Sequence, residues 1–257
     1  MNDDAIRLSF PSPHVARIEF ARPGRANSLR PEDLLSLHRR LDAAEARSEV
    51  HVLVLTGVGR TFSAGFDLES LVVRGRDGTG ADELQCDFEE FTNRLEASRL
   101  ITLAAVNGPV LGGATDIALA CDLRIGSELA TMAMPAARFG LPLYSSALRR
   151  YATRLGLTQA KWLVLTAATL DANAMLAAGF LSEVVSAEGL EAHTQALAER
   201  LAAMPGGPLS AMKHALNAMT SGADEATAHR AHRTLVDATD VRAIAARVAD
   251  AISQRRS

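Results

Sequence analysis

Apolar and polar residues alternate at the start of the chain, which predicts a β-hairpin. Ile6, Leu8 and Phe10 alternate with polar residues, and the same two-residue period returns over residues 16–20. The segment "PSPH" between the two runs supplies the turn. The next segment opens with Pro31, a favoured first residue of a helix, and its leucines then recur every three or four positions, which predicts an α-helix.

Two later runs are apolar almost throughout, which is typical of strands buried on both faces of a parallel sheet. They are "VHVLVLTG" at residues 50–57 and "ITLAAV" at residues 101–106. Between them a helical stripe contains Phe88 and Phe91. This alternation of strands and helices predicts the α/β class, and it continues over about two thirds of the chain.

The C-terminal part of the chain has a different pattern. After about residue 190 the alternation gives way to amphipathic, alanine-rich helices. We therefore predict a core over residues 1–190 and a helical region over residues 191–257. Trp162 falls within an apolar helical stripe and is predicted to lie in the core.

Composition and charge narrow the class of protein. The 257 residues are 48% hydrophobic and 22% charged, with a formal net charge of −3, values that are ordinary for a globular enzyme. No basic stripe interleaves with aromatic residues, so we expect no nucleic-acid partner, and no apolar run is long enough for a membrane span. Cys86 and Cys121 form no CxxC pair and the N-terminus shows no secretory signal, so we expect a cytoplasmic protein.

Several well-known motifs are absent from the sequence. The segment "TGVGRTF" follows a strand but lacks the Gly-Lys-Ser/Thr of a phosphate-binding loop, and without a GxSxG elbow Ser63 is not an obvious nucleophile. His229 and His232 lie one helical turn apart, but without a third ligand they predict a solvated helix face. We therefore expect no metal ion.

Two segments that follow the buried strands remain as candidates for a site. They are "FSAGFD" at residues 62–67 and "NGPVLGGATD" at residues 107–116. Ligands of open α/β sheets collect at the carboxyl ends of the strands, where two convergent backbone N–H groups can hold a carbonyl oxygen that gains negative charge. Asp116 lies in the first turn of the helix that the second segment opens. It either complements the helix dipole or takes part in chemistry.

These segments, in this order, resemble the crotonase, or enoyl-CoA hydratase/isomerase, superfamily. "ARPGRANSL" is similar to the family's first loop, "VLVLTGVGRTFSAGFDL" to its first oxyanion segment, and "AAVNGPVLGGATDIALACDLRIGSELATMAMPAARFGL" to its second. "LVLTAATLDANAMLAAGFLSEVV" resembles a later helix pair and strand. The resemblance implies a spiral of ββα units with a C-terminal helical trimerisation region, here residues 191–257, and therefore a homotrimer or a dimer of trimers.

The resemblance also implies an acyl-CoA substrate and a thioester enolate. The enolate oxygen would accept hydrogen bonds from the backbone N–H groups of Phe66 and Gly113, the second of which lies at the start of the helix that carries Asp116. Coenzyme A would enter as part of the substrate. The family's coenzyme A contacts match five positions here: Arg25, Ala26, Ser63, Ala64 and Asp67. An alternative for Asp67 is a role as the cap of the next helix.

The chain departs from the family's hydratases at both catalytic acids. Asp116 aligns with the first glutamate and is one methylene shorter, so its carboxylate reaches about 1.5 Å less far. Ala136 stands at the position of the second glutamate and cannot move a proton. We expect Asp116 to be the only carboxylate in direct proton transfer, and to be negatively charged at neutral pH.

Tyr144 occupies another position of interest. It aligns with a further aspartate of the family's dienoyl isomerases, and the family's decarboxylases place a tyrosine near it. Tyr144 is therefore either a catalytic group or part of the pocket wall.

Three hypotheses about function stay open at this point. The first is a crotonase-family enzyme that acts on an acyl-CoA thioester through a stabilised enolate, nominally an enoyl-CoA hydratase and thus a lyase. The second is a decarboxylase, isomerase or hydrolase on the same scaffold. The third is an acyl-CoA-binding protein without catalysis. Ala136 favours the second and third hypotheses, whereas the intact oxyanion segments argue against a complete loss of catalysis.

Overall fold

The described part of the chain contains a six-stranded and a three-stranded β-sheet. The computed structural model describes residues 5–67, 70 and 81–220, and no side chain of residues 81–86. Neighbouring strands of the larger sheet are, in order, β1 (Ile6–Ser12), β2 (Val15–Phe20), β3 (Val52–Gly57), β4 (Ile101–Val106), β6 (Leu123–Ser127) and β9 (Glu183–Val185). The smaller sheet contains β5 (Val110–Leu111), β7 (Thr131–Ala133) and β8 (Thr169–Asp171).

Helices connect and cover these strands. Those in the described residues are α1 (Pro31–Glu45), α2 (Ala81–Glu96), α3 (Gly113–Ala120), α4 (Ser145–Leu155), α5 (Leu157–Thr166), α6 (Ala172–Ala177), α7 (Leu190–Ala202) and α8 (Gly206–Thr220). The predicted α/β class is confirmed.

The structure confirms the hairpin and the two buried strands. β1 and β2 are antiparallel, with Ile6 opposite Phe20 and Leu8 opposite Ile18, so the alternating residues share one face. β2, β3, β4, β6 and β9 pair in parallel. All six residues of β4 are buried, as its continuous apolar run predicted.

Strand–strand–helix units place the candidate site. In one unit, β4 joins the larger sheet, β5 joins the smaller sheet, and α3 follows directly. β6 and β7 divide between the two sheets in the same way. The loops that leave β3 and β4 therefore emerge at the same edge of the larger sheet, because the two strands are parallel neighbours.

The predicted apolar stripe of α1 lies in the core, whereas the prediction for Trp162 was wrong. Leu34, Leu37 and Leu41 of α1 are buried. Trp162 is 58% exposed, because α5 buries only a narrow stripe that includes Ala160 and Leu163. An apolar residue within a helical run is therefore not always on the side that packs.

The compact unit that contains the two sheets ends at residue 206, and α7 belongs to it. Residues from 207 onward belong to a second unit. The boundary near residue 190 and the role of residues 191–257 in subunit packing stay predictions, and His229 and His232 lie outside the described residues.

In the described part of the chain, no helix is both long and apolar enough to cross a bilayer. The same residues contain no group of three or more His, Cys, Asp or Glu side chains that could hold a metal ion.

Candidate active site

In the loop that follows β3, the backbone N–H of Phe66 points away from the neighbouring chain segment. Leu29 donates its backbone N–H to the carbonyl of Gly65 at 2.7 Å, and Asp67 donates to the carbonyl of Leu29 at 2.9 Å. This is the pattern of a parallel bridge between Leu29 and Phe66. Because both bonds flank Phe66, its own N–H points away from Leu29.

The second loop is joined to the first at two glycines. Leu111 donates to the carbonyl of Ser63 at 2.9 Å. Gly65 has a φ of +79°, and a Cβ at this position would lie 2.5 Å from the Leu111 carbonyl oxygen and 2.9 Å from the Gly113 nitrogen. Only glycine therefore allows this approach. It brings the residue before Phe66 against the backbone nitrogen of Gly113.

Gly113 begins α3, so its N–H has no acceptor within the helix. A phenyl ring covers this position. A Cβ at Gly113 would lie 2.6 Å from the ring of Phe88, which comes from α2, and the Phe88 and Phe66 ring centroids are 6.1 Å apart in an edge-to-face arrangement. The absence of a side chain at Gly113 thus leaves room for a pair of aromatic rings at the start of α3.

The residues matched to coenzyme A contacts lie on adjoining loops. Ala64 donates its N–H to the carbonyl of Ala26 at 2.9 Å, which links the loop after β2 to the loop after β3. Ser63 is buried, and its hydroxyl donates to the carbonyl of Asn27 at 2.7 Å. Its side chain therefore links the two loops by a hydrogen bond. Arg25 is exposed at the end of a short 3-10 turn.

Asp67 makes the contacts of a capping residue. Its carboxylate accepts hydrogen bonds from the backbone N–H of Ser70 at 3.2 Å and from the Ser70 hydroxyl at 2.9 Å, and a further one from Ser28 at 3.1 Å. Burial by itself raises the pKa of Asp67, but these hydrogen bonds outweigh it and leave the pKa below its usual value. This geometry agrees with the alternative that the sequence left open, a cap three residues before Ser70.

Asp116 lies one turn beyond Gly113 in α3 and forms a buried ion pair. The side chain is 1% exposed. Arg150 of α4, which is fully buried, donates from Nε to Oδ1 and from Nη2 to Oδ2, each at 2.7 Å. The Tyr144 hydroxyl donates to Oδ2 at 2.6 Å. Asp116 therefore interacts with a positive charge and a phenol, which the local pattern did not indicate.

A second carboxylate balances the charges behind Arg150. Glu96 of α2 accepts a hydrogen bond from Arg150 at 3.1 Å, and it also pairs with Arg149 and with Arg154. Burial by itself raises the pKa of Glu96, but the hydrogen bond from Arg149 and the charges of the three arginines outweigh it and lower the pKa. Arg150 thus lies between two carboxylates on different helices.

Tyr144 is a neutral phenol at ordinary pH. Burial raises its pKa well above the usual value, and the charge of Asp116 and the hydrogen bond to it raise the pKa further. A hydrogen bond with Thr92 and the charge of Arg150 oppose this increase only in part. Tyr144 can therefore donate a hydrogen bond but does not act as a standing phenolate.

The position of the hydratases' second glutamate offers no proton carrier. Ala136 begins a short 3-10 turn after β7 and packs against the core as a half-buried residue. The structure brings together Asp116 and Tyr144 among the predicted catalytic side chains, and it joins the loops that carry Phe66 and Gly113.

Sequence reasoning missed Arg150. The signal available was its place in α4, because Ala147, Arg150 and Tyr151 are the buried residues of that helix and follow a helical spacing. A charged residue on a buried stripe indicates a buried partner. The sequence does not say which acid that partner is.

The two tyrosines of the chain generate a prediction about pH. Burial raises the pKa of both Tyr144 and Tyr151, whereas unfolded tyrosines lose their proton at about pH 10. Above that pH the unfolded state binds fewer protons than the folded state, so the free energy of unfolding falls as pH rises. We expect no tyrosinate absorbance from the folded protein at about pH 10, and absorbance from two tyrosines in denaturant. In Tyr144→Phe the alkaline loss of stability should be smaller. Tyrosinate absorbance from the folded protein at about pH 10 would contradict this prediction.

The chain matches a known family of proteins. The family model described as enoyl-CoA hydratase/isomerase matches residues 12–246. The chain is 30% identical over 230 residues to "Probable enoyl-CoA hydratase echA6" of Mycobacterium tuberculosis, covering 87% of this chain and 86% of that protein. It is 32% identical over 198 residues to 4-chlorobenzoyl coenzyme A dehalogenase-2 of Arthrobacter sp, covering 74% and 70%.

A solved structure of an enoyl-CoA hydratase has a similar fold. The crystal structure of enoyl-CoA hydratase from Bacillus anthracis has a TM-score of 0.82 and 26% identity, covering 91% of this chain and 90% of that one. The predicted crotonase-like fold is thereby confirmed. The chain belongs to the enoyl-CoA hydratase/isomerase family of enzymes, the crotonase superfamily.

Proposed function

We propose that this enzyme acts on an acyl-CoA thioester and holds the enolate oxygen between the N–H groups of Phe66 and Gly113. The observation that carries the proposal is the junction of the two loops at Gly65, where a Cβ would lie 2.9 Å from the Gly113 nitrogen. The N–H of Phe66 points away from Leu29, and that of Gly113 is unsatisfied within α3. Two such donors, one at the positive end of a helix, favour an oxygen that gains negative charge.

Coenzyme A enters the proposal as part of the substrate, with no separate cofactor. The loops that carry Arg25, Ala26, Ser63, Ala64 and Asp67 adjoin one another, which supports a coenzyme A site along them. The buried Ser63 would act by shaping the loops, and the exposed Arg25 offers a positive charge to the phosphates.

We infer that proton transfer involves Asp116 through Tyr144. Both oxygens of Asp116 already accept hydrogen bonds, and the Tyr144 hydroxyl occupies one of them at 2.6 Å. A proton that moves between substrate and Asp116 would therefore pass through the phenol. Tyr144 is half-buried, so part of its side chain faces open space.

Hydration, the nominal reaction of the family, has weak support from the side chains. It uses two carboxylates to hold and activate a water molecule, whereas Ala136 supplies none and Asp116 is paired with Arg150. Decarboxylation is the second candidate, favoured by the same contacts. Loss of CO₂ from a malonyl-type thioester leaves its electron pair as the enolate without any base. The enolate carbon then takes a proton from the Tyr144 hydroxyl, and the half-buried Tyr144 regains a proton from solvent water before the next turnover.

A screen of purified protein separates these functions. Enoyl-, malonyl-type and cyclic acyl-CoA thioesters are incubated with the enzyme, and product masses are measured. A gain of water identifies hydration, a loss of CO₂ identifies decarboxylation, and an unchanged mass with a shifted double bond identifies isomerisation. Release of coenzyme A identifies hydrolysis. Tight binding without any product would support the acyl-CoA-binding protein and would overturn the proposed enzyme.

The first prediction for the function concerns Gly113. Gly113→Pro removes the N–H donor, and loss of one such donor typically costs about 2.7–4 kcal/mol of transition-state stabilisation, or about 10²–10³ in kcat. Gly113→Ala is the matched control, because its Cβ also meets the ring of Phe88 but its N–H is retained. Equal kcat in the two folded variants would exclude a role for this donor.

The second prediction concerns Asp116. Asp116→Asn should abolish turnover of the substrate that the screen identifies and leave acyl-CoA affinity, measured by calorimetry, nearly unchanged. Because the change also disturbs the ion pair with Arg150, circular dichroism is used to verify the fold. Tyr144→Phe keeps that ion pair and should reduce kcat as well. Full turnover in folded Asp116→Asn would make Asp116 a helix-start residue only.

The third prediction concerns assembly. We propose a cytoplasmic homotrimer or dimer of trimers, on the basis of the family resemblance and the apolar stripes after residue 190. Light scattering at micromolar concentration should give three or six times the chain mass of 27.3 kDa. A single-chain mass at that concentration would refute the proposed assembly.

A further inference from the structure

Arg150 uses every nitrogen of its guanidinium group in the site. Nε and Nη2 each donate to Asp116 at 2.7 Å, and Nη2 also donates to the Thr92 hydroxyl at 2.7 Å. Nη1 donates to Asn93 at 2.9 Å and to Glu96 at 3.1 Å. The side chain is fully buried, so its position is set by these contacts and not by water.

This arrangement fixes the orientation of the Asp116 carboxylate. A carboxylate that accepts two parallel hydrogen bonds from one planar guanidinium has little freedom to rotate. Oδ2 therefore remains in the direction of Tyr144, whose hydroxyl lies 2.6 Å away. Rotation of the carboxylate by even a small angle would lengthen that hydrogen bond.

The start of α4 makes a further hydrogen bond to α2. Glu89 of α2 accepts a hydrogen bond from the Ser146 hydroxyl at 2.8 Å, and Ser146 lies two residues after Tyr144. The Ser146 hydroxyl also accepts a weaker hydrogen bond from Arg150 at 3.3 Å. Both ends of the hydrogen bond between Tyr144 and Asp116 are thus anchored to the helix pair α2 and α4.

We propose that Arg150 is a positioning residue that aims Asp116 at Tyr144 and so sets the geometry of proton transfer. The catalytic consequence rests on the proposed function, whereas the geometric consequence does not. Arginine is required rather than lysine, because a lysine ammonium is a point charge without the planar fork that binds both oxygens. Arg150→Lys keeps the positive charge but removes the planar guanidinium. It therefore tests the two parallel hydrogen bonds to Asp116 alone.

The experiment combines a spectroscopic and a kinetic measurement. The isotope-edited infrared band of the Tyr144 C–O stretch reports its hydrogen bond, and Tyr144→Phe assigns the band because the chain has only two tyrosines. Arg150→Lys should shift this band. It should also lower kcat on the order of 10²-fold with unchanged KM, the typical effect of a misplacement of about 1 Å.

Two controls separate positioning from general stability. Arg149→Lys is the matched control, because Arg149 adjoins Arg150 and pairs with Glu96, and it should change neither the band nor kcat. In a Tyr144→Phe background, Arg150→Lys should cause no additional loss of kcat, because the two residues act through one hydrogen bond. If Arg150→Lys does not fold, Asn93→Ala removes one contact of Arg150 and should by itself shift the band.

The outcomes distinguish this inference from the proposed function. An unchanged Tyr144 band in folded Arg150→Lys, or in Asn93→Ala if that variant is needed, would overturn the inference. An additive loss of kcat in the double variant would overturn it as well. A shifted band with no turnover of any acyl-CoA by the wild type would overturn the proposed function and leave the positioning of Asp116 standing.

Discussion

The ion pair between Asp116 and Arg150 is the interaction on which the site depends. Both side chains are buried, and removal of each charge from water costs several kcal/mol. Such a cost is offset only where the geometry is good and the remaining donors are satisfied, as they are for Arg150. Removal of one partner of such a pair typically costs about 3–5 kcal/mol. The pair therefore ties α3 to α4, and through Glu96 to α2, around Tyr144.

A second constraint comes from the backbone. The loops after β3 and β4 approach so closely at Gly65 that no side chain fits there, and Gly113 leaves space for the ring of Phe88. The loops that carry the N–H groups of Phe66 and Gly113 hydrogen-bond to each other, so the proposed oxyanion site would be stiff. Its chemistry then depends on the side chains around it.

The chain shares the backbone of its family, because the family model matches residues 12–246. The resemblance to the hydratases ends at Asp116 and Ala136, the positions that it aligns with their two catalytic glutamates. Under the proposed function, the N–H groups of the two loops favour an intermediate with an oxyanion. We propose that a phenol paired with an arginine-bound carboxylate takes the place of the hydratases' two glutamates.

The local elements and the loops of the candidate site could be predicted from the sequence. A two-residue period fixed the hairpin, a continuous apolar run fixed β4, and glycines after two strands marked the loops, because each of these signals lies within one short segment. Which side chains meet across the fold could be learned only from the packed structure. Arg150 is 34 residues from Asp116 along the chain, and Trp162 is exposed although its segment is apolar. A periodic pattern shows that a residue is buried or that a helix has an apolar side, but the packing of other segments decides which residue it meets.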